Sequence, residues 1–253
     1  MRRKTTREGL RCCSRAWRLT LACAIAVALP QAPARAAGFT TDFRLEDCTW
    51  SAWGRQNPYF NLRPGRQLVL EGKEDGAQVR LEITALRQLE TITFTTARGV
   101  TLTIPTRIVE ERETADGELA EVSRNFFARC IETSDIFYFG EEVDIYEGGV
   151  VVSHEGAWRA GEEGALPGLI MPASFLLGSK YFQETAPGVA EDRAENTEMG
   201  LAVAVPAGAF SACVAIEETS ALSPNSKGVK TYCPGVGLAK DGTLRLTAAG
   251  VVP

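Results

Sequence analysis

A single histidine, three methionines and no CxxC spacing leave this 253-residue chain little material for a zinc centre or a histidine relay. Twelve prolines and 24 glycines are too few for a low-complexity or collagen-like chain. The most apolar run, LTLACAIAVAL at 19–29, is shorter than the roughly 20 residues a membrane-spanning helix needs. G-x-S-x-G, P-loop and G-x-G-x-x-G patterns in a helical setting are missing, so nucleophile-elbow and nucleotide chemistry have no support. What is present is globular in character: 45% of residues are hydrophobic and 23% charged, enough for one sizeable core.

Residues 1–36 have the three-part order of a secretory signal peptide. Arg2, Arg3, Lys4, Arg7, Arg11, Arg15 and Arg18 precede the short apolar run, then come Pro30 and the small-x-small site Ala34-Arg35-Ala36. Cleavage is expected after Ala36; the alternative is an uncleaved N-terminal anchor, because the basic region is long. The chain is accordingly expected in the periplasm or outside the cell, with no integral membrane segment after cleavage. Of 27 Lys and Arg and 32 Asp and Glu, this segment holds eight and one, so 19 bases and 31 acids remain and the mature charge is −12. An acidic chain with no basic cluster is a poor ligand for phosphate backbones or anionic lipid, and no nucleic-acid partner is expected.

Cys12, Cys13 and Cys23 belong to the leader, and Cys48, Cys130, Cys213 and Cys233 stay with the mature chain. An oxidising compartment favours disulfides, and spacing alone leaves three pairings open. Cys213 and Cys233 lie in short strand-like segments; if those pair antiparallel, a Cys213–Cys233 bridge follows. Cys48 with Cys130 would then tie the N-terminal segment to the sheet.

Periodicity is of the strand type. Alternating segments cover 66–72, 78–84, 89–95, 100–104, 107–113, 118–129, 136–146, 149–154, 180–185, 197–205, 209–219, 229–233 and 243–247. Between them stand turn residues such as Asp75-Gly76, Arg98-Gly99, Asp116-Gly117 and Asp241-Gly242. Hairpins without helical crossovers predict one all-β domain over 37–253. Its expected form is an antiparallel meander with a curved sheet, closed as a half-barrel, small barrel or sandwich. Residues 37–64 read as an irregular N-terminal segment, and 155–179, rich in Gly and Pro, as a covering loop that buries Leu169, Ile170 and Phe175.

Several motifs run through nearly the whole mature chain in order: NPYF (57–60), PG (64–65), LEG (70–72), DGEL (116–119), FYFGEEVDIYEGGVVVSHEGAWRAGEEGALPGLIMP (137–172), APGVAEDRAE (186–195), VPAGAF-x-x-C (205–213) and YCPGVGL (232–238). In these the chain resembles a widespread group of exported bacterial proteins of similar length and without established activity. The resemblance implies an exported, bacterial, single-domain protein and supplies no catalytic residue. That group commonly has Ala at the position of Cys233, which implies a locally added disulfide.

Candidate chemistry is sparse. Glu191, Asp192 and Glu195 follow Pro187-Gly188 and offer carboxylates beside free carbonyls, the donor type Ca²⁺ takes; no other cofactor is expected. A curved sheet can enclose a small apolar ligand, with Trp158, Tyr181 and Phe182 as binding residues. A ligand-binding or structural module is therefore expected before an enzyme. The alternative is a glycosidase-like hydrolase using two carboxyls across a cleft. His154 and Ser153 are strand neighbours on opposite faces and cannot form a dyad.

Overall fold

The computed structural model describes residues 38–54, 56–223 and 225–253; the expected signal peptide, 1–36, lies outside the described residues. After one 3-10 turn (Leu45–Asp47) the described chain is all strand and turn. The strands are β1 (Trp50–Ser51), β2 (Arg66–Glu74), β3 (Ala77–Thr95), β4 (Thr101–Ala115), β5 (Glu118–Cys130), β6 (Ile136–Glu147), β7 (Val150–Ser153) and β8 (Trp158–Arg159). They continue with β9 (Leu166–Met171), β10 (Lys180–Phe182), β11 (Glu184–Thr185), β12 (Asp192–Val205), β13 (Gly208–Ser220), β14 (Lys227–Cys233), β15 (Gly237–Asp241) and β16 (Leu244–Val251).

The expected antiparallel meander is present. Thirteen strands form one path, β10-β12-β13-β14-β15-β16-β2-β3-β4-β5-β6-β9-β11, with the short β1, β7 and β8 added to β5 and β6. The C-terminal β16 pairs with β2, so the two ends of the meander join in mid-path. The turn residues explain the hairpins. Asp75-Gly76 and Asp116-Gly117 all have positive φ, the conformation a two-residue hairpin turn requires.

A single stretch, 180–185, brings the two edges of the path together. Its first half, β10, pairs with β12, and its second half, β11, pairs with β9, the switch falling at Gln183. The sheet is thereby nearly closed into a barrel. Gly168 on β9 is needed at this seam, because a Cβ there would fall on the Phe182 and Gln183 carbonyls. Gly168→Ala should destabilise the fold by about 1–3 kcal/mol, the usual result of overpacking. Urea unfolding checks it, and a variant with unchanged stability would mean the seam is loose.

Two pairs of segments that alternate separately in the sequence are single strands. Segments 78–84 and 89–95 fuse into β3, and 100–104 with 107–113 into β4. The break in β3 is a bulge: the register with β4 jumps between Ala85 and Leu89. Its unpaired carbonyls are satisfied by a buried cation. Arg107 donates from Nη1 to Leu86 O at 3.0 Å, Arg87 O at 2.8 Å and Gln88 O at 3.3 Å, and from Nε to Ala52 O at 3.2 Å. Its guanidinium also stacks 4.9 Å from the Trp53 ring.

The segment 155–179 departs from the expected covering loop. Gly and Pro do not keep it from forming strands: β8 and β9 lie within it, and β9 is built into the wall between β6 and β11. Pro167 and Gly168 fit there because the strand is short and sits at the seam. Phe175 is buried as expected, whereas Leu169 and Ile170 are only partly so, and Leu176 and Leu177 are exposed.

The covering role falls instead to the irregular N-terminal segment. Leu45 and Leu62 enter the core, Trp50 packs edge-on against Phe137 and Phe139, and Phe60 against Phe127. Asn57 pins the segment: its Nδ2 donates to Ser134 O and Met171 O at 3.1 Å, and its Oδ1 accepts from Tyr59 and Phe60 N–H. The Cys48–Cys130 disulfide fastens it covalently, and a Cys213–Cys233 disulfide staples β13 to β14. On the outer face of β2–β6, Arg80 pairs with Glu71 and Glu82, and Arg124 with Glu110 and Asp144.

Candidate functional site

Alternation along each strand sends one set of side chains into the barrel. The inner rows begin apolar, with Leu68, Ile83, Ala85 and Val109, and then turn polar. Glu111 shares the face of Val109, Asn125 stands opposite Val109, and Glu141 opposite Asn125. From the other half come Glu218, which shares the face of Ile216, and Lys230, opposite both Ile216 and Asp241. The seam adds Gln183 and Glu184. These polar groups line a cavity of about 250 Å³ that is part open to solvent.

One wall of this lumen is aromatic. Phe60, Phe127, Tyr138 and Trp158 follow one another with ring centroids 5.0, 4.9 and 5.1 Å apart, and all four line the cavity. Gly140 makes this possible, since a Cβ there would come within 2.8 Å of the Trp158 carbonyl and push β8 off β6. The Tyr138 hydroxyl donates to Asn125 Oδ1 at 2.5 Å, and Asn125 in turn donates to Ser123 Oγ at 3.1 Å.

Acidic groups stand beside and around the aromatic wall, with Glu141 paired in register with Trp158. Glu111, Glu141, Glu184, Asp192, Glu218 and Asp241 face Lys230 and Arg66. Lys230 is engaged by Glu218 at 2.9 Å and more distantly by Asp241 at 3.9 Å. Desolvation works against its charge, but the carboxylates outweigh that and hold its pKa well above the ordinary lysine value. Arg66 lies toward the N-terminal segment and donates to Val236 O at 2.8 Å. Glu111, Glu141 and Glu184 form no ion pair among the described residues.

Burial raises the pKa of these three carboxyls. Desolvation lifts Glu111 to about 7, with Glu141, Asp241 and Glu121 adding repulsion and Lys230 opposing. Glu141 also rises to about 7 by desolvation, partly opposed by the nearby Tyr138 and Ser123 hydroxyls. Glu184 rises to about 8 by desolvation and the nearby Asp192, even though its Oε1 accepts the Asp192 N–H at 2.7 Å. Glu111 and Glu141 keep some accessible surface, which lines the cavity, where fewer waters reach a charge than at a flat face.

A smaller cavity of about 170 Å³ shares Glu111 and Asp241 with the lumen and is lined also by Glu74, Glu113 and Glu121. Desolvation raises the pKa of Glu113 and Glu121 as well. The acidic surface thus extends from the lumen toward the hairpin ends at 74–77, 115–118 and 241–244.

No protein-family model, no curated protein and no solved structure matches this chain. The site therefore rests on its own geometry.

The expected binding residues divide. Trp158 lines the lumen. Tyr181 and Phe182 do not: Tyr181 is buried in the core with its hydroxyl on Asn196 Oδ1 at 3.1 Å, and Phe182 packs edge-on against Phe39. Glu191, Asp192 and Glu195 are not brought together. Asp192 faces the lumen, Glu191 accepts the Gly188 N–H, and Glu195 pairs with Lys180 at 2.9 Å. Among the described residues, the group of potential ligand atoms within 4.8 Å of one another is Cys48, Cys130 and Glu132, and its two sulfurs are bonded to each other. His154 sits past the end of β7, exposed, with Nδ1 near Val143 O and Asp144 Oδ1.

Sequence reasoning missed Glu111, Glu184, Glu218, Asp241 and Lys230. A signal existed for two of them: Glu111 falls two residues from Val109 and Glu218 two from Ile216, acids at the inward parity of buried strands.

Proposed function

We propose that this chain is an exported bacterial binding protein that takes a small ligand into the lumen of its barrel. The observation that carries the reading is a cavity, part open to solvent, in which a run of aromatic rings and several hydrogen-bonding groups line the same space. Binding sites are built this way, with apolar walls supplying affinity and a few polar groups fixing orientation. The volume is somewhat below the roughly 300–1,000 Å³ of drug-sized sites, which restricts the occupant to a small molecule. The expected apolar ligand survives as the part that lies on Phe127, Tyr138 and Trp158. Export is supported by the leader-like residues 1–36, the acidic mature chain and two disulfides.

A hydrolase is the second reading, favoured by one observation: Glu141 and Glu184 hold protons near neutral pH in one cavity, as a general acid must. Native mass spectrometry of the protein taken from its own cell envelope tests the binding reading. The expected result is a small-molecule mass that disappears on denaturation. If the native and denatured masses agree, and no fragment from a diverse soak occupies the lumen in crystals, the reading is wrong. Steady release of a product from a soaked glycoside would select the hydrolase.

A further inference from the structure

We infer that the lumen is built for a small organic cation, an ammonium carrying an apolar group, with the ammonium among Glu111, Glu141 and Glu184 and the apolar part on the Phe127–Tyr138–Trp158 wall. This rests on the lumen being the binding site and names the class of its ligand.

The charge balance points that way. Six carboxyls line the cavity against Lys230 and Arg66. Lys230 is held by Glu218 and Asp241, whereas Arg66 donates to the Val236 and Gly250 carbonyls and forms no ion pair with the lumen's carboxyls among the described residues. Glu111, Glu141 and Glu184 line the cavity without an ion pair among the described residues. Buried carboxyls are ordinarily paired or held neutral by a proton; three unpaired ones around one space leave room for a cation that would take the proton's place.

The spacing separates an organic cation from a metal ion. A hard metal ion needs several oxygens converging on one point. Among the described residues no three of the lumen's carboxyl oxygens come from separate residues and lie within 4.8 Å of one another. Carboxyls spread around a wall suit a larger ion with a diffuse shell. The aromatic wall supplies the remaining part, because ring faces attract ammonium groups and bury the attached apolar surface.

The approach is also acidic. Glu74, Glu113 and Glu121 line the cavity that adjoins the lumen at Glu111 and Asp241. A low-dielectric passage of one sign concentrates ions of the other.

The groups facing the three carboxyls make binding pH-dependent. Glu111 faces Lys230, Glu141, Asp241 and Glu121; Glu141 faces Tyr138, Ser123, Glu121 and Asp192; Glu184 faces Asp192, Glu218 and Glu141. Lys230 is the one base among them and is already neutralised. Acidification therefore fills the lumen with protons, and an entering cation must displace them.

Three probes of one shape test this: benzylammonium, benzyl alcohol and benzoate, titrated calorimetrically into the mature protein, with the Trp158 indole resonance reporting occupancy. At pH 8 benzylammonium should bind at least tenfold more tightly than benzyl alcohol, and benzoate should not bind. Between pH 8 and pH 5.5 affinity for benzylammonium should fall at least tenfold while that for benzyl alcohol stays level. Glu141→Gln and Glu184→Gln should each weaken benzylammonium at least fivefold and leave benzyl alcohol unchanged. Both variants remove an unpaired buried charge, so they should fold at least as well as the parent at pH 8. If benzyl alcohol or benzoate binds as tightly as benzylammonium, the cation inference is wrong while the lumen remains a binding site. If none of the three moves the Trp158 resonance, both fail together.

Discussion

Raising the pH from 5.5 to 8.5 should lower the thermal unfolding midpoint of the ligand-free protein by about 6–12 °C. The sign follows from the protons. Glu111, Glu141 and Glu184 have folded pKa values of about 7, 7 and 8, above the ordinary value of 4.5. Between those limits the folded state binds more protons than the unfolded chain, so stability falls as pH rises. Their contribution is fully present below about pH 4.5 and gone above about pH 8. A tenfold difference in proton affinity between the folded and unfolded chain corresponds to about 1.4 kcal/mol. Discounted severalfold for water in the lumen, the three still give on the order of 3 kcal/mol. In a chain of this size each kcal/mol moves the midpoint by about 2–4 °C. Calorimetry in matched ionic strength measures the change. Glu184→Gln should flatten the slope, and a midpoint that rises over this range would contradict the acidic lumen.

Cys48→Ser together with Cys130→Ser should cost roughly 4 kcal/mol, a midpoint lower by about 8–16 °C. The bridge spans 82 residues, and closing a loop that long removes more unfolded-state freedom than the 20-residue Cys213–Cys233 bridge, for which about 3 kcal/mol is expected. The larger effect should also be spatially selective. The N-terminal segment carries Tyr59 and Phe60 into the lumen wall and Trp50 onto Phe137 and Phe139. Hydrogen exchange should therefore quicken first at residues 45–62 and in β5. Equal losses from removing either bridge, with no local change at 45–62, would mean the segment is held by its apolar packing alone.

The fold was largely legible because hairpins announce themselves locally. Asp-Gly turns and period-two alternation depend on residues a few positions apart, and β2 to β6 follow from them. The bulge in β3 was not legible. Its three unpaired carbonyls are satisfied by Arg107, some twenty residues away in a strand that reads as ordinary, so 78–84 and 89–95 look like two strands. The seam was hidden for a similar reason: 180–185 reads as one strand, and nothing local reveals that it changes partners at Gln183.

The site was less legible than the fold. Trp158 and Asp192 attract notice from sequence, the first as an aromatic in the Gly-rich stretch and the second within an acidic run. Glu141 stands out only beside Glu142, and strand alternation then sends the two to opposite faces: Glu141 inward, Glu142 to Arg159 at 3.3 Å. Glu184, Lys230 and Asp241 acquire meaning only when β10–β16 are laid against β2–β6. A cavity is a property of that closure, and no segment carries it alone.

The barrel lumen should hold unpaired carboxyls that stay protonated near neutral pH. Carbon-13 NMR of glutamate-labelled protein, titrated from pH 3 to pH 10, reads this group by group, with Glu111→Gln, Glu141→Gln and Glu184→Gln assigning the resonances. Three side-chain carboxyls should titrate at about 7, 7 and 8, and benzylammonium should draw all three downward. If the carboxyls assigned to Glu111, Glu141 and Glu184 titrate near 4.5, the lumen solvates them as bulk water does and the account is wrong.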